Sequence, residues 1–121
     1  LIVPARNDSW FVGTMSRAYY APLIDAGVNI HEYHGGLLHA KTMVIDSEVA
    51  LIGSANMDRR SLELNFENNI LLYSAVTATL IRERQNSYLA QASAVSADDL
   101  QQRPAWKIML QNFLTIFEPI F

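Results

Sequence analysis

Thr42-Met43-Val44-Ile45-Asp46-Ser47-Glu48-Val49-Ala50-Leu51-Ile52-Gly53 is the stretch on which the fold turns. Two β-rich runs, 42–45 and 49–52, flank a polar break of three residues, the pattern of a hairpin with a short turn. Outward from it, residues 28–33 and 66–73 read as further strands, and residues 1–3 as a short buried strand ending at Pro4. Asp8 and Ser9 are good N-caps for a helix starting near Trp10, with an apolar stripe at Phe11, Met15, Ala18 and Tyr19. Pro22 breaks or kinks that helix, or opens a short second turn, and Gly27 closes it. Residues 77–91 form a second helix, with Leu80, Ile81, Tyr88 and Leu89 among its apolar positions. A polar connection over 93–99 leads to a helical tail from Pro104, ending near Glu118-Pro119. Strands and helices alternate, so the predicted class is α/β, a mixed sheet flanked by helices.

Composition narrows the function classes. At 121 residues the chain is long enough to bury a core, and it is 50% hydrophobic but only 17% charged, well under the usual quarter. This fits a folded module with extensive buried or interfacial surface. The net charge of −3 exerts no long-range pull on nucleic acid, so no nucleic-acid partner is expected. With no cysteine, disulfides and thiolate metal sites are excluded. No apolar run reaches the ~18–20 residues of a membrane span, and no signal-peptide pattern is present. Leu1-Ile2-Val3-Pro4 reads like a strand entered part-way. The expectation is a piece of a longer polypeptide, with one domain over residues 1–92 and a helical tail over 93–121.

Around the hairpin lies the chemistry. His39-Ala40-Lys41, Asp46 and Gly53-Ser54-Ala55-Asn56 spell H-x-K-x(4)-D-x(6)-G-S-x-N. At ~5% per fixed position, a chance match in a chain this long is on the order of 10⁻⁶. Alternate residues of an extended strand share a face, so His39 and Lys41 can close on one phosphate as nucleophile and cation. Asp46 has the opposite parity and sits at the turn, which suggests a structural role: bonding turn amides or pairing with a base. Gly53 permits close backbone approach to a ligand, and Ser54 and Asn56 offer a hydroxyl and an amide as phosphate donors. An attacking imidazole also needs a carboxylate on its other nitrogen to fix the tautomer. Glu67 at the start of the next strand is the first choice, and Glu63 the fallback.

This motif resembles that of the phospholipase D superfamily, whose members break or exchange phosphodiesters through a histidine nucleophile. Members commonly carry a Glu after the G-S-x-N segment that contacts the motif histidine, which supports Glu67. The run from Asn56 through Asp58, Arg59, Arg60, Ser61, Leu62, Glu63, Leu64 and Asn65 to Glu67 resembles the N-x-D-x-R-S-x-x-L-N-x-E signature of bacterial cardiolipin synthases. The lead-in Glu32-Tyr33-His34-Gly35-Gly36-Leu37-Leu38-His39 and the segment from Tyr20 to Val28 resemble the same family. The likeness covers about residues 1–90. It implies one half of a pseudo-twofold fold, and a phosphatidyl group transferred between two phosphatidylglycerol molecules with release of glycerol. In that two-step scheme His39, or its counterpart in a second motif-bearing half, forms a phosphohistidine ester. The opposing histidine shuttles the alcohol proton, while Lys41, Ser54 and Asn56 hold the non-bridging oxygens. No metal or cofactor is called for. The implied partners are a phospholipid substrate, a second half (on the same full-length chain or from a homodimer) and a membrane surface. The implied location is the bacterial cell membrane, peripheral for this segment.

Competing readings bear on several residues. His31-Glu32-Tyr33-His34 approaches a zincin spelling but has one residue too few between the histidines, and a strand sends positions three apart to opposite faces. Arg59 and Arg60 suit lipid-headgroup oxyanions, and equally a solvated helix face. The apolar tail, with Trp106, Ile108, Met109, Phe113, Leu114, Ile116 and Phe117, reads first as a packed helix and second as a membrane-interface element. Against phosphatidyl transfer stand a homodimeric phosphodiesterase or nuclease and, from another class, a non-catalytic lipid-binding or assembly module.

Overall fold

A computed structural model describes residues 1–6, 17–56, 66–101, 109 and 113. The chain divides into two compact units, residues 1–38 with 91–121, and residues 39–90.

In the first unit, β1 (Ile2–Pro4) pairs in parallel with β2 (His31–Tyr33), which pairs antiparallel with β3 (Ala92–Ala94). A single 3-10 turn over Arg17–Tyr19 leads into α1 (Tyr20–Asp25). Pro22 lies in the first turn of α1, where its missing N–H costs nothing. Gly27, at φ +88°, closes the helix as its sequence position predicts. Its N–H donates to Ile24 O at 2.9 Å and that of Val28 to Leu23 O at 2.9 Å, the paired bonds of a Schellman motif. Tyr20 and Ile30 are buried. The Glu32 carboxylate accepts from Arg17 Nε at 3.0 Å and from the Tyr20 hydroxyl at 3.4 Å, while Arg17 Nη2 reaches Ala5 O at 3.0 Å. Residues 93–99, expected to be a polar connection, instead contain part of β3 and the start of a short helix, α2 (Ala97–Gln101). Ser96 and Asp99 form a reciprocal capping box there, with Asp99 N donating to Ser96 Oγ at 3.1 Å and Ser96 N to Asp99 Oδ2 at 2.9 Å. Of the tail, Met109 and Phe113 are described, and both are exposed; Trp106, Ile108, Leu114, Ile116 and Phe117 lie outside the described residues.

The second unit is an antiparallel meander of β4 (Thr42–Ile45), β5 (Val49–Gly53) and β6 (Asn69–Tyr73), in that order. The hairpin pairs Thr42 with Ile52 and Ile45 with Val49, the register implied by its two β-rich runs. Asp46 and Ser47 stand at φ +51° and +57°, and Glu48 N donates to Ile45 O at 3.0 Å. Two successive left-handed residues are what a type I′ turn requires. The helix α3 (Ala75–Leu89) packs on β4 and β5, and Ala78 and Ala50 are both fully buried. Its cap is Ser74, whose Oγ accepts from Thr77 N at 3.3 Å. Toward β4 it sends Arg82 Nη2 to Val44 O at 3.3 Å and Gln85 Nε2 to Thr42 O at 3.4 Å. Between helix and sheet lies an apolar cavity of about 270 Å³ bordered by Ala40, Thr42, Ile52, Leu80, Ile81 and Tyr88.

Candidate functional site

Three chain segments meet at one end of the β4–β5–β6 meander. Lys41 enters β4, Gly53 ends β5, and Glu67-Asn68 lead into β6. Gly53 N donates to Lys41 O at 3.1 Å, so the lysine lies directly across from the glycine. On the other side Gly53 pairs with Asn69. A Cβ at Gly53 would overlap the Asn69 carboxamide and stand 2.7 Å from Asn68 O. The glycine is therefore required by its neighbours as well as by any ligand.

Ser54 closes the ladder in an unusual way. Its N–H donates to Asn68 O at 3.1 Å, as an antiparallel rung demands. The return bond, however, runs from Asn68 N to the Ser54 hydroxyl at 2.9 Å, so the side chain takes the role of its own carbonyl. The backbone bends at Ser54, and β5 ends. The same hydroxyl donates to Glu67 Oε2 at 2.6 Å, the short distance of a charge-assisted bond.

His39 is exposed, and its ring makes no hydrogen bond among the described residues. Lys41 is half-buried, and its Nζ donates to His39 O at 3.1 Å. An ammonium has three donors, so two remain for anionic oxygens. Asn56 is exposed two residues beyond Ser54. Asp46 lies at the opposite end of β4 from Lys41, roughly 16 Å away at strand rise. Arg59, Arg60 and Glu63 lie outside the described residues. Of the two other histidines, His34 Nε2 is 2.7 Å from Ser93 Oγ, and the Glu32 between them is engaged by Arg17 and Tyr20. Among the described residues no group of three or more His, Asp or Glu converges to hold a metal ion.

The sequence expectation sets Glu67 against the His39 imidazole; the structure shows its carboxylate accepting from Ser54, a bond that expectation did not include, nor the part played by Asn68 and Asn69. Antiparallel pairing sets Asn68 against Ser54, and that register was the available signal. Near this end of the meander the chain thus carries an imidazole (His39), a cation (Lys41), an amide (Asn56) and a carboxylate (Glu67), residue types able to hold and attack a phosphodiester.

Residues 1–89 match the family described as "Cardiolipin synthase, PLD-like domain". Cardiolipin synthase A of Cronobacter sakazakii is 37% identical over 120 residues, covering 99% of this chain and 25% of that protein. The Klebsiella pneumoniae protein of the same name is 36% identical over the same share. The chain thus spans about a quarter of the length of the relatives it matches. Among solved structures, a phospholipase D family member, Nuc from Salmonella typhimurium, superposes with a TM-score of 0.64 over 79% of this chain and 62% of that one. At 16% identity, that likeness speaks for the fold, an α/β arrangement of mixed sheet and helices.

Proposed function

The chain belongs to the cardiolipin synthase, PLD-like domain family, and from that premise we propose that it supplies one half of a phosphatidyl-transfer site. The reaction moves a phosphatidyl group from one phosphatidylglycerol to the headgroup hydroxyl of another and releases glycerol. One observation carries this reading. Lys41, Gly53-Ser54 and Glu67 are brought to one strand end by backbone and side-chain hydrogen bonds, in a sequence that matches cardiolipin synthases over almost its whole length.

In the proposed scheme a histidine nitrogen, of His39 or of its counterpart in the second half, attacks phosphorus. An N–P bond forms as the bond to the glycerol oxygen breaks. The opposing histidine gives its proton to that departing oxygen, then takes the proton of the incoming lipid hydroxyl as its oxygen displaces the nitrogen. Lys41 and Asn56 hold the non-bridging oxygens. Glu67 accepts from the second N–H of the His39 imidazole, fixing its tautomer and stabilising the imidazolium. The substrates place the site at a membrane surface, although among the described residues no helix is long and apolar enough to cross a membrane. The second histidine comes from another motif-bearing half, which the remaining length of the relatives can accommodate.

The test is transfer and hydrolysis of short-chain phosphatidylglycerol across a protein dilution series. It is run with and without an added second motif-bearing half, and with His39→Ala as control. Transfer that appears with the second half and disappears in the variant supports the proposal. Activity of this chain alone that falls with the square of dilution points to a homodimeric phosphodiesterase. Liposome binding without turnover in any combination points to a lipid-binding module.

A further inference from the structure

The proton inventory of Ser54 separates it from the phosphate-holding groups. A serine hydroxyl has one proton to give. Here that proton faces Glu67 Oε2 at 2.6 Å, the alternative acceptor Asn68 O being at 3.4 Å. One of the hydroxyl's lone pairs is taken by Asn68 N at 2.9 Å. A group so engaged has an acceptor site to spare and no donor, whereas the non-bridging oxygens of a phosphodiester need donors.

We propose that Ser54 is a positioning residue, which clamps the Glu67 carboxylate to the end of β5 and contributes no hydrogen bond to the phosphate. The inference rests on the phosphatidyl-transfer reading for its consequences, and on the hydrogen bonds alone for its geometry. A carboxylate accepts at about four lone-pair sites, so Glu67 can take the Ser54 proton and an imidazole N–H together. The Asn68 N–H bond fixes the Ser54 hydroxyl from behind, and Ser54 N to Asn68 O at 3.1 Å ties the same two residues through the backbone. Ser54, Glu67 and Asn68 then move as one piece. Loss of the hydroxyl removes this tie between the carboxylate and the end of β5 while leaving Lys41 and Asn56 in place to bind phosphate.

Two measurements test this. Carboxyl-carbon NMR follows the Glu67 titration in this chain, wild type against Ser54→Ala and Ser54→Thr. A hydrogen bond to the ionised form favours that form, so the midpoint should rise in Ser54→Ala and return in Ser54→Thr. In the transfer assay with the second half present, Ser54→Ala should lower kcat about tenfold or more with the donor KM within twofold. The double variant Ser54→Ala/Glu67→Gln should be no slower than Glu67→Gln alone. An unmoved Glu67 midpoint, a tenfold rise in KM at constant kcat, or additive losses in the double variant would each overturn the proposal. Wild-type transfer that is absent, or unchanged in His39→Ala, sinks the phosphatidyl-transfer reading instead, and the carboxyl titration still decides the clamp.

Discussion

Lys41 O accepts the amide proton of Gly53 at 3.1 Å, which makes the motif lysine and the motif glycine partners on facing strands. The G-S-x-N spacing is thereby a property of the sheet as well as of the chemistry. Gly53→Ala would force the added methyl group into the Asn69 carboxamide and against Asn68 O. We expect a loss of about 1–3 kcal/mol, as for overpacking elsewhere, read as a lower urea midpoint. Transfer activity should fall with it, because Asn68 and Glu67 are displaced together.

His39 presents the opposite case. Its side chain is exposed and makes no hydrogen bond among the described residues. His39→Ala should lower transfer by at least about a thousandfold, as removal of either histidine of the proposed pair would, while leaving the thermal midpoint within a degree or two. Lys41→Ala should cost about 10²–10³-fold in rate, the usual effect of removing a transition-state donor. A His39→Ala protein that unfolds early would show that the ring has a packing role.

The hairpin turn holds two non-glycine residues at positive φ, Asp46 and Ser47. The left-handed region costs an ordinary residue about 1–2 kcal/mol relative to glycine, partly offset by glycine's greater freedom in the unfolded chain. Ser47→Gly should therefore stabilise the protein by about 0.5–1 kcal/mol in chemical denaturation. It should leave transfer unchanged, since the turn lies at the far end of β4 from Lys41.

Burial and, after it, the Glu32 carboxylate push the Tyr20 hydroxyl up to about 12 from its ordinary 10.0. The folded state keeps a proton that the unfolded chain releases first. The contribution is thus complete below pH 10 and is lost as pH rises toward 12. Urea midpoints measured at pH 9, 10 and 11 should fall more steeply for wild type than for Tyr20→Phe. Parallel curves would show that Tyr20 does not carry this dependence.

Much of this was legible from residue order, and the exceptions have physical causes. The β4–β5 hairpin followed from its β-rich runs and polar turn, and Gly27 was readable as a helix stop. The strand expected over 28–33 begins only at His31, because the Val28 N–H turns back to cap α1. The strand expected from residue 66 begins at Asn69, because the backbone of β5 bends away at Ser54. β3, Ala-Ser-Ala, has no β-forming side chain and is a strand only because β2 offers it partners. The capping residues Ser74 and Ser96 were visible in the sequence, with Asp99 three residues after the latter. Weighing them would have moved the start of α3 from 77 to 75 and revealed α2. At the site, residue types and spacing pointed to the end of the meander, but the Ser54–Glu67 bond depends on a bend that no spacing rule encodes.

Finally, Arg82 and Gln85 have a consequence for how this sheet meets other chains. Thr42 O and Val44 O face away from β5 on the side of β4 that pairs with no strand among the described residues, where a foreign strand would seek its bonds. Two helix side chains occupy those carbonyls. Docking of α3 onto the meander thus covers this rim as the protein folds, and a neighbour attempting runaway stacking along β4 would have to evict both side chains first.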